Sequence, residues 1–204
     1  MSKSEQKDDA YHREKMIKKK ASREKIEKQK SIEKGLCIVH TGNGKGKSTA
    51  AFGMVLRALG HNMRVGIVQF VKGSRQTGER LALAAFEKQI DFYACGEGFT
   101  WETQDRKRDV LLAEKVWVRA KAMLSDESFD LVLCDELNII LRYKYLDIEE
   151  VLNIIEKRPK KQHIIITGRN APEELIEKAD LVTQMQLVKH PFKSGVKSQR
   201  GIEF

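Results

Sequence analysis

A lysine and a hydroxyl side by side, at the end of a run of glycines, can hold a chain of phosphates. The sequence offers such a run in TGNGKGKST, Thr41 to Thr49. Gly46, Lys47 and Ser48 fit the last positions of the phosphate-binding pattern G-x-x-x-x-G-K-[ST]. In such a loop glycines let successive backbone N–H groups turn toward one anion, and a following helix adds partial positive charge. Lys47 would neutralise phosphate oxygens, and the Ser48 hydroxyl would reach a magnesium ion. The fit fails at its start, where Thr41 stands in place of the first glycine. Gly42, Asn43, Gly44 and a second lysine, Lys45, fill the loop between. A coincidental Gly/Lys loop is the plainer alternative, but three glycines and two lysines between a strand and a helix speak for nucleotide phosphate.

Two further segments carry chemistry. LVLCDE ends an apolar run with Asp135 and Glu136, as a Walker-B strand does. In open α/β sheets ligands lie beyond the carboxyl ends of strands, so this pair is expected to face the loop. Either carboxylate could complete a magnesium shell, directly or through water; the alternative is an ordinary exposed turn. CGEGFTWETQDR, Cys95 to Arg106, sets Phe99 and Trp101 two residues apart between a glycine-rich turn and a polar run. Core burial is hard to arrange there, and the two rings could wall a flat, apolar ligand. There is no protein-kinase catalytic set, no water-activating base and no cysteine cluster of zinc-ligand spacing. From the loop alone the reading stops at binding of ATP or GTP.

The elements that must position these residues alternate. Apolar runs at 36–40, 64–71, 90–95, 129–134, 163–168 and 179–188 read as strands. Between them 48–59, 81–88, 107–124 and 147–157 read as helices, the third with Val110, Ala113, Trp117, Ala120 and Leu124 at helical spacing. Asp147 with Glu150 suggests a capping box, and Asn170 a cap for a helix with Pro172 in its first turn. Strands separated by helices imply an α/β fold, a mostly parallel P-loop NTPase-like sheet with helices on both faces. Residues 35–204 form this nucleotide-binding domain, preceded by a charged arm over 1–34.

The chain has 204 residues, is 41% hydrophobic and carries a formal charge of +9. The arm holds 12 Lys/Arg against 7 Asp/Glu, the body 26 against 22, so the body itself is only mildly basic. The arm lacks Gly and Pro, and its apolar stripe of Tyr11, Met16, Ile17 and Ile26 is thin. For the free protein a solvated or disordered arm is the preferred reading, against a helix that orders on a partner subunit or ligand. Cys37, Cys95 and Cys134 form no CxxC pair, and neither a disulfide framework nor a zinc site is expected. No apolar run reaches the ~20 residues of a membrane span, and the charged start has no apolar stretch of a secretory signal. The cytoplasm is the expected location.

Taken in order, HTGNGKGKSTAAFG, VQFVKG, GEGFTW, LVLCDEL, IITGR and LVKHPFKSGVKSQRGIEF resemble the P-loop-type bacterial ATP:corrinoid adenosyltransferases. The likeness covers nearly all of the body, with Ser48 where the family often has Thr. It implies that Thr41 marks a family variant of the loop rather than a decayed hydrolase site. It implies further that the 5′-deoxyadenosyl group of ATP passes to the Co(I) centre of a reduced corrinoid, cobalamin or a precursor, with release of triphosphate. Phe99 and Trp101 would bind the corrinoid on its lower face, exclude the axial ligand and leave cobalt four-coordinate, which eases reduction. Lys47 would act in catalysis. Residues 41–49 would bind ATP, joined by Arg57, Arg169 and His190; surface charge is the plainer reading of the two arginines, and a simple loop position that of His190. Ser48, Asp135 and Glu136 would hold Mg2+. A reduced flavoprotein as electron donor, a homodimer, and an arm that closes over a neighbouring subunit's site also follow from the resemblance. The rivals are a P-loop ATPase that binds nucleic acid through its basic arm, a nucleotide-dependent regulatory protein and a small-molecule kinase. None of them explains GEGFTW, and the body has no recognisable nucleic-acid module.

Overall fold

Short apolar runs that alternate with helices assemble into one six-stranded sheet. The computed structural model describes residues 3–71, 77–95 and 105–202. The chain divides into two units, Met1–Glu33 and Lys34–Phe204. The first is a helix, α1 (Lys3–Glu27). Its Tyr11, Met16, Ile17 and Ile26 are exposed, and Glu14–Lys18 and Lys20–Glu24 pair along its surface at i,i+4 spacing. Of the two states open to the arm, helical or disordered, it takes the helical one, with its apolar stripe exposed.

In the second unit the strands are β1 (Cys37–Thr41), β2 (Val65–Gln69), β3 (Ile90–Ala94), β4 (Leu131–Asp135), β5 (His163–Thr167) and β6 (Leu181–Gln184). They lie in the order β3-β2-β4-β5-β1-β6, and every neighbouring pair is parallel. Parallel strands need long crossovers, which here are helices: α2 (Lys47–Gly60), α3 (Gly78–Leu83), α4 (Arg106–Ser125), α5 (Leu137–Arg142), α6 (Ile148–Lys157) and α7 (Glu173–Lys178). The expected α/β class and parallel sheet are the ones found.

Alternation along each strand sends residues to two cores. On one face α2 lays Ala51, Phe52, Val55 and Leu59 against Ile38, Ile67, Leu133 and Ile165. On the other, Ala113, Trp117, Ala120 and Leu124 of α4 join Val151 and Ile155 of α6 over Val39, Val132, Ile164 and Ile166. Each Val, Ile or Leu fully buried this way contributes about 1.5–3 kcal/mol of transfer free energy. Cys37, Cys95 and Cys134 are buried in this packing and form no disulfide among the described residues, and burial pushes the Cys37 thiol up to about 11. No helix among the described residues is long and apolar enough to cross a membrane.

Local expectations needed three corrections. α5 was not expected. Asp147 caps α6 by accepting from the Glu149 N–H at 3.0 Å, but Glu150 does not reach back to it. Its carboxylate instead accepts from the Trp117 indole at 3.1 Å and from Lys121 at 2.8 Å, because α4 packs alongside. Asn170 is in the left-handed region at φ 54, and the cap of α7 falls on Pro172.

Candidate active site

The phosphate loop begins where β1 ends. Thr41, buried at that end, accepts the Met185 N–H on its carbonyl at 2.8 Å, and its Oγ1 accepts the Ala171 N–H at 3.0 Å. Its backbone is not in the left-handed region, so the position needs no glycine. A hydroxyl here ties the end of β1 to the chain leaving β5, a bond glycine could not make. The demand for glycine falls one residue later. Gly42 has φ 96, and a Cβ there would lie 2.3 Å from the Met185 carbonyl oxygen. The Gly44 N–H donates to that same oxygen at 2.8 Å. The loop is thus pressed against the chain that leaves β6, which only residues without side chains allow.

α2 starts at Lys47, with no acidic residue in its first turn. Its free N–H groups and positive end are therefore not offset by a local carboxylate. Lys47 is 7% exposed, and its Nζ donates to the Gly44 carbonyl across the loop at 2.6 Å. Burial lowers the pKa of this ammonium, the Glu136 charge opposes that, and Arg169 adds to it. Asn43, Lys45 and Thr49 are exposed around the loop, and Ser48 is half-buried in the first turn of α2.

Opposite stands the carboxylate pair. Asp135, the last residue of β4, is fully engaged: Oδ1 accepts from the Thr167 hydroxyl at 2.7 Å and Oδ2 from Gln69 Nε2 at 3.0 Å. Glu136 turns out of the strand with φ 64, and its N–H donates to Thr167 Oγ1 at 2.9 Å. Its Oε2 is buried and has no hydrogen-bond partner among the described residues. Burial, reinforced by Asp135 and opposed by Lys47 and Arg169, raises the Glu136 pKa to about 7. A buried carboxylate oxygen without a donor, within reach of the charge on the phosphate-loop lysine, fits a hard divalent cation. Magnesium takes one or two protein oxygens and completes its shell with phosphate and water.

The remaining expected residues divide. Arg169 follows Gly168 at the end of β5, and its charge acts on both Lys47 and Glu136, so it belongs to the cluster. Arg57 is in the last turn of α2, exposed, about 15 Å along the axis from Lys47 at ~1.5 Å per residue. His190 caps a 3-10 turn (Pro191–Ser194), its Nδ1 accepting the Phe192 N–H at 3.1 Å. Phe99 and Trp101 lie outside the described residues. Cys95 just before them follows β3, and Asp105 just after caps α4 by accepting from Lys107 and Arg108. Sequence reading missed Gln69, Thr167, Met185 and Asn138, whose roles depend on which strands are neighbours. It also missed His40, 5% exposed and with neither ring nitrogen bonded.

A glycine loop between the first strand and its helix, facing an acidic pair two strands away across β5, defines a P-loop nucleotide-binding protein of the α/β class. The comparisons narrow this. Residues 33–204 match the model of the ATP:corrinoid adenosyltransferase family BtuR/CobO/CobP, and the chain belongs to that family. Membership makes it an enzyme that uses ATP to adenosylate corrinoids. The chain is 57% identical over 201 residues to a corrinoid adenosyltransferase of Sinorhizobium sp, covering 98% of this chain and 94% of the relative. It is 52% identical over 196 residues to one from Pseudomonas aeruginosa, covering 96% and 97%. A third, from Escherichia coli (strain K12), is 47% identical over 176 residues, covering 86% and 89%.

Proposed function

We propose that the protein transfers the 5′-deoxyadenosyl group of ATP to the Co(I) centre of a reduced corrinoid, with inorganic triphosphate as leaving group. A Co–C bond forms, the C5′–O bond breaks, and the electron pair of that bond departs with triphosphate. The observation that carries this reading is Lys47, buried at the head of α2 within reach of the Glu136 charge, beside a loop whose Gly42 and Gly44 leave no room for side chains. Such a site holds a polyphosphate, and a Co(I) nucleophile attacking C5′ needs no general base.

Each part then has a task. Residues 41–49 bind the phosphate chain through backbone N–H groups, and Lys47 balances the charge that gathers on the leaving triphosphate. Ser48 and Glu136 would hold Mg2+, with Asp135 behind them. The cation, when bound, draws negative charge from the leaving group. Arg169 adds a positive charge to the same rim. Phe99 and Trp101 cover the lower face of the corrinoid and keep a fifth ligand off cobalt. Arg57, in the last turn of α2, would reach ATP away from the loop, and His190 would bind ATP from the chain that follows β6. Holding cobalt, C5′ and the leaving oxygen in line is chiefly a positioning task, worth up to ~7–11 kcal/mol in favourable cases. A reduced flavoprotein as electron donor and a cytoplasmic homodimer complete the reading; a monomer on sedimentation would remove the dimer.

The test is anaerobic turnover of Mg-ATP with prereduced cob(I)alamin, following the corrinoid spectrum and the phosphate product together. A light-sensitive alkylcobalt spectrum with stoichiometric triphosphate is expected. Orthophosphate or ADP, formed whether or not corrinoid is present, would replace the reading by a hydrolytic or kinase one. Run from cob(II)alamin with a reductant, the same assay probes the rings. Phe99→Ala and Trp101→Ala should lose more activity there than with cob(I)alamin, and equal losses would end their proposed role.

A further inference from the structure

We propose that Thr167 is a positioning residue that fixes both carboxylates of the site through one hydroxyl; this rests on the reading of Glu136 as a magnesium ligand. Thr167 ends β5 and is fully buried. Its neighbours in the sheet are β4 and β1, with Cys134 opposite Ile166 and His40 opposite Thr167. That register puts its side chain beside Asp135. The Thr167 O–H donates to Asp135 Oδ1 at 2.7 Å, and Thr167 Oγ1 itself accepts the Glu136 N–H at 2.9 Å. One oxygen therefore sets the rotamer of the first carboxylate and the backbone of the second.

The backbone of Glu136 needs such a hold. At φ 64 a residue with a side chain sits in a sparsely populated conformation that persists only when its surroundings enforce it. Gly168, the residue after Thr167, closes the other side: at φ 127 a Cβ there would lie 3.2 Å from Glu136 Oε2 and 2.8 Å from Asn138 Cβ. Asn138 in turn donates from Nδ2 to the Gly168 carbonyl at 3.1 Å. Glu136 is held from its N–H by Thr167 and bordered at its carboxylate by Gly168, and its Oε2 is left without a protein donor. Asp135 has no such free oxygen, because Gln69 takes the second one. Thr167 thus keeps one carboxylate occupied with the protein and the other pointed at the site.

The experiment is calorimetric titration of ATP into the full chain, once with chelator and once with saturating Mg2+. The ratio of the two affinities measures how far metal and nucleotide assist each other, a quantity that mere loss of folded protein does not move. Thr167→Val, close in shape, should lower the ratio about tenfold, the scale on which groups behind a metal ligand act. Thr167→Ser should stay within about twofold of wild type, since it keeps the hydroxyl. If the valine variant does not fold, Thr167→Ala takes its place with the same expectation. Glu136→Gln is measured alongside. A lowered ratio for Glu136→Gln with an unchanged ratio for Thr167→Val would overturn the positioning role and leave the site reading intact. Unchanged ratios for both, or a wild-type ratio near one, would remove the magnesium reading and this inference with it. An equal loss in the serine variant, which keeps the hydroxyl, would show that the hydroxyl does not set the ratio, and the inference would fall.

Discussion

The two ends of the sheet treat their polar groups in opposite ways. At the amino ends of the strands, groups close on one another. Asp130 accepts the Arg64 N–H at 2.8 Å, and His163 Nδ1 accepts the Leu36 N–H at 3.1 Å. Asp180 accepts from the Cys37 N–H and from Lys34. Arg158 joins Gln162, Ile155 and Gly35 through their carbonyls. Gln162 Nε2 lies 3.1 Å from the carbonyls of Met123, Asp126 and Phe129, closing the end of α4. Among the described residues, both ring nitrogens of His40, Glu136 Oε2 and Asn138 Oδ1 are buried without partners at the carboxyl ends, against Gln162 Oε1 at the other end. Groups left open at a cost of about 1–3 kcal/mol each are retained where a ligand can satisfy them. The same chain therefore spends its amino end on stability and its carboxyl end on binding.

The largest expected break in this division is at Lys47. Lys47→Ala should lower kcat/KM for ATP by about 10²–10³-fold, the scale of one lost donor to developing charge. Its unfolding midpoint in urea should not fall, because the ammonium is itself a buried charge whose pKa is already lowered by burial. A variant that kept its activity, or that lost activity only by unfolding, would put the phosphate contact elsewhere.

The opposite change is at Gln162. Gln162→Leu strips the donor from three carbonyls that close the end of α4, and should lower the unfolding free energy by about 2–4 kcal/mol. Activity per folded molecule should stay within about twofold. A tenfold fall in kcat/KM without loss of stability would mean that the two ends are coupled through the sheet and that the contrast drawn above is false.

What was legible in the sequence follows the same line. The loop, the acidic pair and the alternation of strands are local signals, carried by glycine, charge and short apolar runs. Lys47, Ser48, Asp135 and Glu136 could be named because each stands within or beside such a run. Thr167 could not, because its partners Asp135 and Glu136 are brought to it by the order of the strands, in which β4 is flanked by β2 and β5. The tie between Thr41 and Ala171 spans the chain for the same reason. α5 escaped notice because LNIILR is six residues long, too short to display a helical period after an apolar strand. Glu150 was misassigned because a tertiary partner, Trp117, outcompetes a local cap. Arg57 was named from a motif position alone, and helix geometry places it about 15 Å along α2 from Lys47.

The smallest effects separate the two ends by the sign of their pH dependence. Glu136 has a pKa raised to about 7 by burial, against an ordinary value near ~4.3. The folded state then binds the extra proton, so this contribution to stability is complete below the ordinary value and is lost as pH rises through about 7. His163, at the amino end, has a pKa lowered by burial and by Arg158. Its contribution is complete above the ordinary histidine range and is lost as pH falls through its lowered value, when Nδ1 takes a proton and can no longer accept from Leu36. Urea unfolding of Glu136→Gln and His163→Gln across pH 5 to 8 reads both. Relative to wild type, Glu136→Gln should gain stability as pH rises, on the order of 2 kcal/mol over the range. His163→Gln keeps an acceptor for Leu36 and should gain as pH falls, by less than about 1 kcal/mol because the ring borders solvent. A Glu136→Gln slope of the same sign as that of His163→Gln would mean that burial does not keep the Glu136 carboxyl protonated. The open carboxylate would then be an ordinary surface group, because only a carboxylate confined away from water holds its proton to neutral pH.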